Sequence, residues 1–141
     1  IRGRLEVYRG PPEVVVDVGH NASAAGRLVE FLEERPITGR TLGVFSMLKD
    51  KDLAEVVRLM GSRIASWHLT QLDASRAVPL QDLADVVSDY SNSEIKTWPN
   101  PLHAYKMAMQ LARPGDRVVV FGSFYLVGAI LKSVSEDPLQ A

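Results

Sequence analysis

Three short segments carry residues able to do chemistry. The first, Asp17-Val18-Gly19-His20-Asn21, leaves an apolar run and enters an amphipathic one. An Asp at the end of a strand can accept hydrogen bonds from sugar hydroxyls. Gly19 lets the backbone turn sharply or approach a ligand closely. His20 and Asn21 then fall at a helix N-terminus, whose N–H groups and dipole favour anions. A plainer reading serves the same residues: Asn21 as an N-cap, Asp17 bonded to loop backbone, His20 as a surface ring.

The second segment, Ser46-Met47-Leu48-Lys49-Asp50-Lys51-Asp52, sets two acids and two lysines just before a helical pattern. Such a loop suits a phosphorylated ligand, or else Asp50 or Asp52 caps the helix and the lysines are solvated. The third, Gly122-Ser123-Phe124-Tyr125, follows an apolar run. No G-x-S-x-G motif accompanies Ser123, so binding a carboxylate or phosphate is the better functional reading than nucleophilic attack. An N-cap is the plainer one. Arg2, Arg4 and Arg9 crowd the first nine residues. They can hold phosphate in a bidentate way or stand solvated. His68, inside a β run, and His103, at a helix start, are read as structural, and Trp67, Trp98, Met107 and Met109 as packing.

The elements that must position these segments are legible as periodicity. Apolar residues recur with helical spacing at Ala25/Leu28/Val29/Leu32, Leu53/Val56/Val57/Met60, Leu80/Leu83/Ala84/Val87 and Val127/Ile130/Leu131/Val134. Leu102/Tyr105/Met109/Ala112 is a looser version opened by Asn100-Pro101 as N-cap and first helical residue. Between them lie β-prone runs at Val14–Val16, Leu42–Phe45, Ile64–Thr70, Glu94–Trp98 and Val118–Phe121. Leu5–Tyr8 precedes Gly10-Pro11-Pro12 and pairs back on Val14–Val16 as an antiparallel edge hairpin. The alternation predicts an open, mostly parallel α/β sheet with helices on both faces. Residues 135–141 read as a frayed tail. In such sheets ligands sit beyond the carboxyl ends of the strands, which marks the loops at 17–21, 46–52, 72–76 and 122–124.

Composition narrows the function. The 141 residues carry a net charge of -1, which argues against a broad electrostatic grip on nucleic acid or anionic lipid. There is no Cys, hence no disulfide and no thiolate metal site. No apolar run is long enough to span a bilayer, and no signal-peptide pattern appears. A cytoplasmic globular domain is expected, and its abrupt start at Ile1-Arg2-Gly3-Arg4 reads as a cut from something longer. Phosphate loops of the G-x-x-x-x-G-K-[ST] type, G-x-G-x-x-G, H-E-x-x-H and EF-hand patterns are absent.

Taken in order, Gly3-Arg4, then Asp17-Val18-Gly19-His20-Asn21 thirteen residues after Arg4, then Ser46–Asp52 and Gly122–Tyr125, resemble the C-terminal domain of folylpolyglutamate synthase/dihydrofolate synthase, in the Mur ligase superfamily. The resemblance runs from residue 1 to about residue 134. It implies a Rossmann-like Mur ligase C-terminal domain, residues 1–141, belonging to a two-domain enzyme that adds L-glutamate to a folate or dihydropteroate carboxylate through an acyl phosphate. ATP and Mg are implied, with the phosphate loop and the magnesium ligands in an N-terminal ATPase domain, the partner over which this domain closes. No metal ligand is assigned within these residues. By motif, Arg4 and Asp17 would hold nucleotide, the former its phosphates and the latter its ribose. His20 would lie near the transferred phosphate and Ser123 near the incoming glutamate. Lys49, Asp50, Lys51 and Asp52 receive no role beyond shaping the site. The family's motif continues with Pro where this chain has Ala22, and Arg2-Gly3 stands where Pro-Gly is usual. The isolated domain is expected to be inactive. Two other readings stand beside this one: the matching domain of a cell-wall or cyanophycin ligase, and a non-catalytic α/β binding module.

Overall fold

Val14–Val16 and Val118–Val120 are apolar at every residue, and a strand with no polar face must be covered on both sides. In the computed structural model, which describes residues 2–136, both lie inside one six-stranded sheet. Among these residues the elements run β1 (Glu6–Tyr8), β2 (Glu13–Asp17), α1 (Ala22–Glu33), β3 (Thr41–Phe45), α2 (Leu53–Gly61), β4 (Ser66–Thr70), α3 (Leu80–Tyr90), β5 (Glu94–Trp98), α4 (Pro101–Leu111), β6 (Arg117–Phe121) and α5 (Phe124–Glu136). Across the sheet the order is β1-β2-β6-β3-β4-β5. β1 pairs antiparallel with β2, Glu6 opposite Val16 and Tyr8 opposite Val14, which is the expected edge hairpin. The pairings β2–β6, β6–β3, β3–β4 and β4–β5 are parallel.

Successive strand residues point to opposite faces, so alternate positions build two cores. Val15, Val119, Phe121, Phe45, Trp67 and Leu69 pack with Leu28, Val57 and Leu83 of α1, α2 and α3. Val14, Val16, Val118, Val120, Leu42 and Val44 pack with Ala104, Ala108, Leu126 and Ile130 of α4 and α5. Helices therefore cover both faces. Asn100 accepts from the His103 amide at 2.9 Å with Pro101 next in line, so the looser α4 pattern begins where its cap predicts. The strand expected from Ile64 starts instead at Ser66; the Ile64 carbonyl accepts from the Ser93 hydroxyl at 2.6 Å rather than from a strand amide. α5 extends to Glu136, into the stretch expected to fray; residues 137–141 and Ile1 lie outside the described residues. No helix among the described residues is long and apolar enough to cross a membrane.

The histidines read as structural have specific partners. His68 is fully buried in β4. Trp98 Nε1 donates to its Nδ1 at 3.0 Å, and Nε2 lies 3.1 Å from Ser66 Oγ. An indole N–H can only donate, so Nδ1 is bare and the ring proton sits on Nε2, facing the Ser66 hydroxyl. The Trp98 ring stacks between His68 and His103, at centroid distances of 6.2 and 5.2 Å. Burial pushes the His68 pKa down to about 4, with the Lys96 charge acting in the same direction.

An unfolded histidine titrates near 6.5. Between that pH and about 4 the unfolded chain takes up a proton that the folded chain refuses, so stability is lost as the pH falls through this window. Between pH 7 and pH 4.5 His68 should cost on the order of 2–3 kcal/mol. Urea unfolding at the two pH values is expected to show a smaller loss in His68→Gln than in the unsubstituted chain. Equal losses would mean that His68 is not held neutral.

Candidate functional site

The sheet register sets the level of the site. Asp17 of β2 lies opposite Phe121 of β6, and Phe121 opposite Phe45 of β3. The three loops that follow therefore leave the sheet side by side. Beneath them Phe45, Phe121 and Trp67 form a floor, with Phe45 stacked on Phe121 at 4.7 Å and edge-on to Trp67 at 5.7 Å. Gly122 leaves β6 with φ +109°, and a Cβ there would stand 2.4 Å from the Ser46 carbonyl oxygen and 2.6 Å from the Phe45 ring. Only glycine combines that conformation with that approach.

Gly122 delivers Ser123 to the sheet's crest. Ser123 is buried, and its Oγ accepts from the Tyr125 amide at 3.0 Å, which makes it the cap of α5. That bond uses one lone pair and leaves the hydroxyl proton to donate elsewhere. A cavity of about 340 Å³ opens beside it, walled by His20, Met47, Lys49, Asp50, Arg76 and Ser123. Phe124 and Tyr125, both largely exposed, stand edge to face at its mouth. Thus His20 and Ser123, from loops at opposite ends of the sequence, meet at one cavity.

Asp17 and Arg4 are not part of that wall. Asp17 is buried at the end of β2 and its Oδ1 accepts from the Leu5 amide at 3.3 Å. The Val18 amide donates to the Gly3 carbonyl at 2.7 Å. Together these bonds hold the turn that carries Arg4, whose own side chain is exposed. Burial pushes the Asp17 carboxyl above its usual range, against the pull of the Leu5 and Gly19 amides and the Arg4 and Arg27 charges.

Of the two acids in the second segment, Asp50 accepts from the Asp52 amide at 2.8 Å at the entry to α2, and Asp52 departs from the expected cap. Asp52 occupies the N-cap position of α2 but makes no cap bond there. Its Oδ2 accepts instead from the Ala22 amide, at 2.9 Å, the first residue of α1. Helix N-terminal amides are open donors and the dipole favours a carboxylate, so the neighbouring helix end takes it. Asn21 caps α1 as expected, accepting from the Ala24 amide at 2.9 Å. The Ala at position 22 has a structural consequence, because Pro has no N–H to offer Asp52.

Sequence reasoning marked the 72–76 loop by topology alone and chose no residue in it. The structure brings Arg76 to the cavity. The Lys49 amide donates to the Arg76 carbonyl at 2.7 Å, and Arg76 Nη2 donates to the Lys49 carbonyl at 2.7 Å. Leu48 bridges Ala77, and the Val78 amide donates to the Met47 carbonyl at 3.2 Å.

Residues 3–124 match the family model described as "Mur ligase, glutamate ligase domain". The chain belongs to that family. Among its relatives, the dihydrofolate synthase/folylpolyglutamate synthase of Buchnera aphidicola subsp. Acyrthosiphon pisum is 32% identical over 129 residues, covering 92% of this chain and 31% of the relative. That of Escherichia coli is 30% identical over 132 residues, covering 94% of this chain and 30% of the relative. E. coli FolC in complex with DHPP and ADP superposes with a TM-score of 0.88 at 28% identity, over 97% of this chain and 32% of that one. The bifunctional folylpolyglutamate synthase/dihydrofolate synthase with Mn, AMPPNP and L-glutamate bound superposes with a TM-score of 0.85 at 30% identity, over 96% of this chain and 32% of that one. The chain thus spans about a third of the length of these relatives.

The glutamate ligase domain makes a sharp demand at Gly122. Gly122→Ala should cost about 2–4 kcal/mol, from a disfavoured φ and an overlap with backbone oxygen and an aromatic ring. Gly128, in α5, provides the contrast: a methyl added there meets nothing within 4 Å. Gly128→Ala should therefore stabilise by about 0.5–1 kcal/mol. Denaturant midpoints of the two variants are expected to move in opposite directions. A Gly122→Ala midpoint at or above the unsubstituted one would mean that the close approach to Ser46 is not a constraint.

Proposed function

We propose that this chain is the C-terminal domain of a cytoplasmic two-domain ligase that adds L-glutamate to a folate or dihydropteroate carboxylate at the expense of ATP. One observation carries the reading: His20 and Ser123 face a common cavity at the crest of a glutamate ligase domain. The naming of the relatives favours the folate branch over cell-wall or cyanophycin ligases. Their greater length agrees with an N-terminal ATPase domain as partner.

In this scheme the carboxylate is phosphorylated by ATP, and the acyl phosphate is attacked by the neutral glutamate amine. The C–N bond forms, the C–O bond to phosphate breaks, inorganic phosphate leaves and the amine gives up a proton. This domain supplies position rather than a nucleophile. Ser123 offers its hydroxyl to the glutamate from a place fixed by a buried strand, and orientation of that kind carries a large share of the barrier. His20, in the turn just ahead of α1, donates to oxygens of the transferred phosphate. Asp17 and Arg4 hold the nucleotide, the former its ribose and the latter its phosphates. Among the described residues no three or more His, Cys, Asp or Glu side chains group to hold a metal ion.

The test is kinetic, in the full-length protein that carries this chain. Losing one hydrogen bond to a charged group costs about 1.5–3 kcal/mol, so Asp17→Ala should lower kcat/KM for ATP roughly ten- to a hundredfold. Ser123→Ala should raise the glutamate KM and leave ATP use nearly unchanged. Wild-type ATP kinetics in Asp17→Ala would return that residue to ordering the Gly3–Leu5 turn. A lower melting temperature with unaltered glutamate kinetics would leave Ser123 as a cap alone. The isolated chain, incubated with ATP, magnesium, dihydropteroate and glutamate, is expected to release no ADP that depends on both organic substrates.

A further inference from the structure

His20 lines the cavity, but among the described residues its imidazole has no hydrogen bond, ion pair or ring contact. A side chain without partners points where its backbone sends it. The turn that leads into α1 therefore decides what His20 can reach.

That turn is tied on both sides of His20. Before it, the Val18 amide donates to the Gly3 carbonyl at 2.7 Å, and Gly19 packs so closely that a Cβ there would run into Ala24. After it, Asn21 accepts from the Ala24 amide, a bond within the helix entry that fixes nothing outside it. The Ala22 amide is different. It donates at 2.9 Å to Asp52 Oδ2, 30 residues away, on the loop that enters α2. Asp52 gives its own amide to Asp50 Oδ1 at 2.8 Å, and Asp50 lines the cavity with His20. The line Asp50–Asp52–Ala22 thus runs from one wall residue to the residue next but one to another. Asp52 does this in place of capping its own helix.

We propose that Asp52 is a positioning residue for His20: its carboxylate ties the turn that carries His20 to the loop that carries Asp50, and the imidazole meets the transferred phosphate only from that tied position. The assignment rests on the ligase reading given above, in which His20 donates to that phosphate. A contact strongest in the transition state is read in kcat rather than in KM.

The test uses the full-length protein and glutamate-dependent ADP release. Asp52→Ser removes the carboxylate that reaches α1 but leaves a preferred N-cap residue at the start of α2. It should lower kcat about ten- to a hundredfold, with the KM for ATP and for glutamate within about twofold and little change in melting temperature. Asp52→Asn, which keeps an acceptor oxygen in the same place, should recover most of the loss. The deciding comparison is the cycle with His20→Ala. Adding Asp52→Ser to His20→Ala should lower kcat by less than about twofold further, because the group that Asp52 positions is already gone. Ala22→Pro deletes the donor instead of the acceptor, at a helix position that suits proline. Adding Asp52→Ser to it should likewise change kcat by less than about twofold.

Losses that multiply in either cycle overturn the assignment. So does a kcat for Asp52→Ser within about twofold of the unsubstituted enzyme's. A lower melting temperature with kcat unchanged would leave Asp52 as a link between α1 and α2 alone. In each of these cases the ligase reading stands. ADP release by the unsubstituted protein that no amino acid stimulates defeats the ligase reading and the assignment together.

Discussion

The site depends on β6 lying in register between β2 and β3. Because Asp17, Phe121 and Phe45 end their strands at one level, the first, second and third reactive segments emerge as neighbours although the sequence separates them widely. A slip of one residue would turn every side chain of β6 to the opposite face, exchanging Val118 and Val120 for Val119 and Phe121 across the two cores. The close passage of Gly122 over Ser46 then converts strand register into the position of a single hydroxyl.

Local structure and the proposed ligand chemistry draw on the same groups here. Ser123 caps α5, Asn21 caps α1 and Asp17 bonds the amide of Leu5, each an ordinary local duty. None of these duties exhausts the group. A serine hydroxyl that accepts can still donate, and a carboxylate has a second oxygen. Asp17 also bears the desolvation of its strand-end position, and it supports a turn in which Gly3 and Leu5 both have positive φ. Arg4, between them, is thereby tied to the sheet through main chain rather than through its own side chain.

What could be read in advance was what is local or periodic. The Val14–Val16 and Val118–Val120 runs, the β5 span Glu94–Trp98 and the Asn100-Pro101 start of α4 each carry their signal within a few residues. So did the carboxyl-edge location of the site, which follows from strand–helix alternation. Contacts between segments far apart in sequence left no such mark. Asp52 reaches Ala22 across 30 residues, Arg76 reaches Lys49 across 27, and Trp98 reaches His68 across 30. A carboxylate ahead of a helix is usually its cap, and nothing local tells that a neighbouring helix end competes for it. For the same reason His68 looked partnerless: its indole donor belongs to the next strand of the sheet.

The loops at 46–52 and 72–78 are joined chiefly by main-chain groups: Lys49 to Arg76, Leu48 to Ala77 and Met47 to Val78. Such bonds are indifferent to which side chains hang from them. The side chain at 49 can therefore be exchanged while the backbone that aims it stays in place, whereas Arg76 also joins the loops through its guanidinium. In evolutionary terms the frame and the side chain it carries at position 49 are separable. A lineage could change the group that the first loop presents at position 49 with Ser123 and the strand ends beneath it left untouched.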